Sequence, residues 1–280
     1  MRRSLLFIPA NNPGMLQNSN VFKADCVIFD LEDAVSVDQK DSARILLKNF
    51  LNTFKLDLEV IIRINDLDTP YFMDDLETIL SSKVHTIMLP KANVGHLKKL
   101  DEILRTFEKS KKLNKKIAVI PIIELAASVM EVDKIVHCPR VNGVLLGAED
   151  LSSDMEFERT LIGDEILYPR AKIAYACKAA SIDAIDTPFT DVHNIDGFLA
   201  DCLRAKNLGM NAKSAIHPNQ ISIINKTFSP TKRQIEVALK IELAAKSNKG
   251  VFSLDGKMVD KPIIERSKKI LEKARKYDLL

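Results

Sequence analysis

Val141-Asn142-Gly143-Val144-Leu145-Leu146-Gly147-Ala148-Glu149-Asp150 is an apolar run that stops abruptly in two small residues and two carboxylates. Such a run is the expected signature of a buried parallel strand whose carboxyl end delivers a ligand into an active site. Two other stretches share the pattern: Ile117 to Glu124, and Cys26-Val27-Ile28-Phe29-Asp30 continued by Leu31-Glu32-Asp33. Three apolar runs ending in acid are hard to explain as surface decoration.

Working outward, further β-type runs lie at Ser4 to Pro9, Glu59 to Asn65, Val84 to Lys91, Ser181 to Pro188 and Asn211 to Pro218. Amphipathic stretches alternate with them, at Ser36 to Phe54, Leu97 to Phe107, Leu125 to Val136 and Ile166 to Ala180, the pattern of a parallel sheet covered by helices. About eight such units in roughly 220 residues match a (β/α)8 TIM barrel better than an open doubly wound sheet. No Gly-x-Gly-x-x-Gly or Walker A loop is present to argue for a nucleotide-binding sheet. The expected organisation is a catalytic barrel over residues 1–226 and a C-terminal extension over residues 227–280. The extension reads as a helix from Thr231 to Ser247, a hairpin turning at Asp255-Gly256, and a basic helix from Pro262 to Tyr277. It fits a lid, an oligomer contact or a packing appendage.

Composition narrows the function classes. The 280 residues are 46% hydrophobic and 28% charged, as in an ordinary globular protein with a sizeable core. With 41 Lys and Arg against 38 Asp and Glu, a net charge of +3 gives no argument for nucleic acid or a membrane surface. No run reaches the roughly 20 apolar residues that span a bilayer, and the start of the chain has no signal-peptide pattern; a cytoplasmic protein is expected. Cys26, Cys138, Cys177 and Cys202 are widely spaced, so they read as free thiols rather than a disulfide framework or zinc site.

In a barrel of this kind Arg63, Lys91, Glu124, Asp150, Asp186 and His217 are expected to converge at one mouth. Glu124 and Asp150 together suit a hard divalent ion that keeps several waters, as Mg2+ does; the alternative is that each acid caps the following helix. Arg63 is costly to bury unless it meets an anion, and its planar fork suits a substrate carboxylate. A structural ion pair with Glu32 or Asp33 would also satisfy it. Gly147 and Ala148 leave backbone amides open to a carboxylate, or simply allow close packing. Asp30, Glu32 and Asp33 are placed to orient metal-bound water and Arg63. His217 fits holding local structure or touching substrate better than binding metal. Arg3, Lys23 and Lys91 are candidate contacts for thioester phosphates, or plain surface charges. Glu149 is expected to point away from the metal.

The motifs Arg2-Arg3-Ser4 through Asn11, Phe29-Asp30-Leu31-Glu32-Asp33-Ala34-Val35, Lys40-Asp41-Ser42-Ala43-Arg44, Arg63-Ile64-Asn65, Leu89-Pro90-Lys91, Gly147-Ala148-Glu149-Asp150, Ile216-His217-Pro218 and Gly256-Lys257-Met258-Val259-Asp260 occur in order along nearly the whole chain. Together they resemble the citrate lyase β-subunit family, citryl thioester lyases within the wider citrate lyase, malyl-CoA lyase and HpcH/HpaI aldolase superfamily. The resemblance implies a Mg2+-dependent barrel enzyme that cleaves a citryl thioester, on a carrier protein or CoA, into an acetyl thioester and oxaloacetate. By position it makes Glu124 and Asp150 the metal ligands and Arg63 the grip on the oxo-acid carboxylate. Asp260 becomes the acid that exchanges a proton with the acetyl carbon, carried on a lid from a neighbouring subunit. Glu32 or Asp33, relaying through metal-bound water, is the expected base for the hydroxyl. Acyl carrier protein and CoA-transferase subunits are implied partners, and a homo-oligomer, trimer or hexamer, is implied by the lid. A stand-alone citramalyl-CoA or malyl-CoA lyase with the same site is the alternative. A silent barrel acting as a scaffold is a third reading, weakened by the complete set of acids, arginine and lid.

Overall fold

The computed structural model describes residues 2–80, 84, 86–113, 116–247 and 250–280. They divide into two compact units, Met1–Asn225 and Lys226–Leu280.

In the first unit eight parallel strands close into a barrel: β1 (Ser4–Pro9), β2 (Cys26–Asp30), β3 (Glu59–Arg63), β4 (Thr86–Leu89), β5 (Ala118–Ile123), β6 (Gly143–Leu146), β7 (Asp183–Asp186) and β8 (Ala212–Ala215). Registers such as Ile28↔Ile61 and Leu6↔Ala215 join neighbours and close β8 onto β1. The TIM-barrel expectation is met. The strands form because both faces are covered, so each reads as a nearly continuous apolar run. Alternate residues face the interior, where Leu5, Ile28, Ile61, Met88, Ile122, Leu145, Ile185 and Ala212 pack as one cluster. Their neighbours in sequence face the surrounding helices.

Several boundaries differ from the pattern-based reading. The run Val141 to Asp150 is strand only over Gly143–Leu146, and a helix opens at Ala148, so Glu149 and Asp150 sit in its first turn. Leu125 to Val136 is two short helices, Ala126–Met130 and Val132–Ile135, broken at Glu131, whose φ of −101° and ψ of 6° leave the helical region.

The amino ends of the strands are tied by arginine. Arg2 bonds Glu59 at 2.7 and 2.8 Å and Asp183 at 2.9 Å, joining β3 and β7 across the floor. Arg3 forks onto Asp25 at 2.7 and 2.9 Å. The expectation that Arg3 meets a substrate thioester is therefore corrected. It lies beside the first residue of β1, a full strand away from the end where the other candidates gather, and its guanidinium is held by a carboxylate.

The second unit pairs helices Lys232–Ser247 and Lys261–Lys276 through Ile235, Ala238, Leu271 and Ala274. Between them in sequence lies an antiparallel hairpin, β9 (Phe252–Leu254) and β10 (Lys257–Val259), whose turn residues Asp255 and Gly256 both take positive φ, 51° and 75°. That is the backbone an Asp-Gly turn of type I′ requires.

Candidate active site

The alternation that fills the barrel interior also builds its mouth. Stepping by twos from the interior residues toward the carboxyl ends gives Pro9, Asp30, Arg63, Glu124, Gly147 and Thr187, and all six line a cavity of about 440 Å³. Asp33, Glu149, Asp150 and Ile216 also line it.

Arg63 is pinned at the centre. Its Nε and Nη2 donate to the two oxygens of Asp30 at 2.7 and 2.6 Å, and its guanidinium lies 5.1 Å from the Phe7 ring centroid. Nη1 approaches Glu32 Oε2 at 2.8 Å and Asp33 Oδ2 at 3.5 Å. Burial disfavours its charge, but Asp30, Glu32 and Asp33 outweigh that and raise its pKa. The ion pair foreseen with Glu32 and Asp33 thus exists, with Asp30 as the stronger partner; N–H groups not directed at Asp30 are left for a ligand.

The acids here are in surplus. Burial pushes the Glu32 carboxyl up to about 7, with Asp33 and Asp30 adding to the shift and Arg63 opposing it. Although Oε2 is at ion-pair distance from Arg63, the approach lacks hydrogen-bond geometry, and this buried oxygen has no donor. Glu124 is 2% exposed, and burial pushes it up to about 8. The Lys91 amide, donating to Oε1 at 2.5 Å, works against the shift, while Asp150 and Glu32 reinforce it. Two oxygen-donor side chains that repel one another, one of them buried and another acid nearby short of a donor, fit a hard divalent cation. Another group of metal-ligand type, Asp66, Asp68 and His96, sits on the segments after β3 and β4; there His96 stands 3.7 and 3.4 Å from the two carboxylates and, protonated, can pair with both.

Gly147 is required by close approach. A Cβ there would lie 2.8 Å from Glu124 Cβ, Glu124 Oε2 and Ile122 Cγ2, so only glycine lets β6 pass the Glu124 carboxylate. Its amide is not open to a substrate, since Gly147 N donates to Ile123 O at 3.0 Å and Ala148 N donates to Thr187 Oγ1 at 3.2 Å. Close packing thus fixes Gly147, while the amides of Glu149 and Asp150 fall in the first turn of the helix that follows.

Asp150 is exposed at the rim, and Glu149 turns its carboxylate to Arg159 at 3.2 Å. The Lys91 side chain is exposed, and His217 caps the turn Pro218–Gln220, its Nδ1 accepting from Asn219 N at 3.3 Å. Asp260 belongs to the second unit, where its Oδ1 accepts from Ile263 N at 3.2 Å and caps the last helix. Asp186 does not join the mouth. It follows the inward-facing Ile185 directly, so it points outward, fully buried, onto Arg170 and Lys213 at 2.8 and 2.5 Å. Thr187 and Phe7 were overlooked in the sequence; counting by twos along β7 and β1 from a known interior residue would have found both.

Residues 3–218 match the family model described as HpcH/HpaI aldolase/citrate lyase. The chain is 36% identical to the citrate lyase subunit beta of Leuconostoc mesenteroides subsp. cremoris, over 100% of this chain and 95% of that one. It is 29% identical to the mitochondrial citramalyl-CoA lyase of Rattus norvegicus, over 96% and 85%. Among solved structures, protein CitE from Mycobacterium tuberculosis in complex with magnesium, acetoacetate and coenzyme A superposes with a TM-score of 0.81 at 27% identity, covering 98% of both chains.

Proposed function

Because the chain belongs to the HpcH/HpaI aldolase/citrate lyase family, we propose that it is a carbon–carbon lyase. It cleaves a citryl thioester into an acetyl thioester and oxaloacetate as the β subunit of a citrate lyase. The observation that carries this reading is the pinned Arg63 facing the buried, proton-avid Glu124 across one mouth. Higher identity to a citrate lyase β subunit than to a citramalyl-CoA lyase supports the citryl substrate.

Glu124 and Asp150 would hold Mg2+, which when bound lowers the proton affinity of the substrate hydroxyl and polarises the forming ketone. Arg63, immobilised by Asp30, offers its remaining N–H groups to the oxo-acid carboxylate without reorganising. Glu32 accepts the hydroxyl proton at Oε2, the buried oxygen without a donor, and a carboxyl raised to about 7 is matched to that task. Asp33, at the rim, steadies the same guanidinium. As the proton leaves, the O–H electron pair becomes the ketone π bond, the carbon–carbon bond breaks, and its electrons pass to the thioester α-carbon. Asp260, on a lid supplied by a neighbouring subunit, is assigned the proton that quenches that carbon, and Lys91 and His217 are assigned to substrate contact. In this reading the protein is cytoplasmic and homo-oligomeric, and works with acyl carrier protein and CoA-transferase subunits.

Purified protein with Mg2+ is offered citryl-CoA, citramalyl-CoA and malyl-CoA. The highest kcat/KM is expected with citryl-CoA, with release of oxaloacetate. Preference for either other ester reassigns the chain to a stand-alone lyase, and turnover of none returns it to the scaffold reading. An Asp260→Asn variant with undiminished cleavage removes the proton-transfer role.

A further inference from the structure

Lys40 opens helix Lys40–Thr53, a position where a lysine ordinarily reaches solvent, yet it is buried. Its Nζ donates to the carbonyls of Leu31 at 2.8 Å and Glu32 at 2.7 Å and lies 5.7 Å from the Tyr71 ring centroid. No carboxylate forms an ion pair with it among the described residues. Burial lowers its pKa against the pull of Asp30, Asp75, Glu32 and Asp33. A buried ammonium is costly, and a fold that needed only to fill space would place an apolar side chain there.

What the ammonium holds is the back of the acidic turn. The front is tied to the mouth: Leu31 N donates to Arg63 O at 3.0 Å, and Glu32 N and Ala34 N donate to the Asp30 carboxylate at 2.9 and 3.0 Å. That carboxylate also grips Arg63. Behind, Asn65 Nδ2 joins Lys40 on Leu31 O at 2.9 Å. Asn65 is itself fixed by Asp75, and Asp75 by Arg44, one turn beyond Lys40 on the same helix. Carbonyl groups on one side and amide groups on the other leave the Leu31–Glu32 backbone a single orientation. The reach of the Glu32 carboxylate and the angle of the Arg63 fork follow from it.

We infer that Lys40 is a positioning residue of the lyase reaction: by clamping the Leu31 and Glu32 carbonyls from behind, it aims Glu32 and, through Asp30, Arg63 at the substrate. This rests on the lyase reading above. Lys40→Met keeps most of the stem and removes the three donors; Lys40→Arg restores charge and donors. Misplaced by a fraction of an ångström to an ångström, a catalytic pair loses up to ~100-fold.

The experiment compares kcat and KM of wild type, K40M, K40R and a control, Leu104→Ala, a buried substitution on the outer helix Val94–Ser110. All are assayed well below their melting temperatures. The expected result is a kcat loss on the order of ten- to a hundredfold in K40M, exceeding any rise in KM, partial recovery in K40R, and little change in the control. A K40M kcat within twofold of wild type, or a loss no larger than that of the control, overturns the inference. If K40M does not fold, Lys40→Gln, which keeps a donor without the charge, takes its place. A readout without substrate accompanies the kinetics: the Arg63 Nε–H resonance, assigned by its absence in Arg63→Lys. It is expected to shift or broaden in K40M and to return toward wild type in K40R; an unmoved resonance overturns the positioning role. Wild type that turns over no thioester overturns the lyase reading instead, and the resonance still decides whether Lys40 sets the Arg63 geometry.

Discussion

Two charge clusters in the barrel are built from the same residue types and behave in opposite ways. At the mouth, Asp30, Glu32, Asp33, Glu124 and Asp150 surround Arg63, acids outnumber the fixed cation, and two carboxyls are pushed up to about 7 and 8. On the outer face of β7 and β8, Asp186 and Asp201 meet Arg170 and Lys213, two against two, with four ion pairs of 2.5 to 2.8 Å. Three of those four side chains are completely buried and Asp201 nearly so. The balanced cluster is a strut: it locks helix Leu167–Ala180 and helix Ile195–Asn207 to the strands. The unbalanced one is left short of positive charge, and that deficit is what a bound cation would fill. Charge balance, more than the presence of charge, separates a site from a scaffold.

The sharpest way to break the comparison is to unbalance the strut. Asp186→Asn leaves Lys213 and Arg170 with one carboxylate between them, and chemical denaturation should show a loss of about 3–5 kcal/mol. Activity per folded molecule should change far less, because Asp186 faces away from the mouth.

Glu124→Gln should do the reverse. It removes a repelling carboxylate, so stability of the metal-free protein near pH 8 should hold or rise, while kcat/KM falls by more than the roughly hundredfold that losing a partner behind a metal ligand costs. Steady-state kinetics with citryl-CoA and a melting curve in chelator check the two halves together.

pH sharpens the same contrast. Glu124 and Glu32 bind their protons more tightly folded than unfolded, so between roughly pH 4 and pH 8 the folded state carries the extra protons. Stability must then fall as pH rises through that window, by several kcal/mol, since one pKa unit corresponds to about 1.4 kcal/mol and both carboxyls are raised. Metal-free protein should show a melting temperature declining over that range; added Mg2+ or the Glu124→Gln change should flatten the decline.

The smallest effect is expected at Glu149. Its exposed bond to Arg159 contributes about 0–1 kcal/mol, and Glu149→Gln should keep activity within about twofold of wild type. A large loss would place Glu149 with the metal instead of Asp150.

How much of this was legible in the residues is itself explained by the strands. Eight apolar runs announced a barrel, and an acid or arginine at the end of a run marked Asp30, Arg63 and Glu124. The same rule admitted Asp186, because a strand buried on both faces is apolar at every position and does not reveal which set faces inward. One residue of phase separates a mouth acid from a strut acid, and only the closed barrel supplies that phase. Arg3 was different: it immediately precedes its strand, and a rule that places function at carboxyl ends already argued against it. Lys40 stood within a motif that carries the family resemblance, yet nothing in a helix-opening lysine predicts that it bends inward onto two carbonyls.

Lys91 carries the last lesson. Its φ of 46° is left-handed, and the turn it makes sends two successive amides back toward β5, Lys91 N to Glu124 Oε1 and Ala92 N to Ile122 O. For that service the identity of the side chain is irrelevant and the backbone angle is everything, so glycine should serve at position 91 and valine should not. A residue can thus be indispensable to a reaction through its peptide bond alone, invisible to any search organised by the chemistry of side chains.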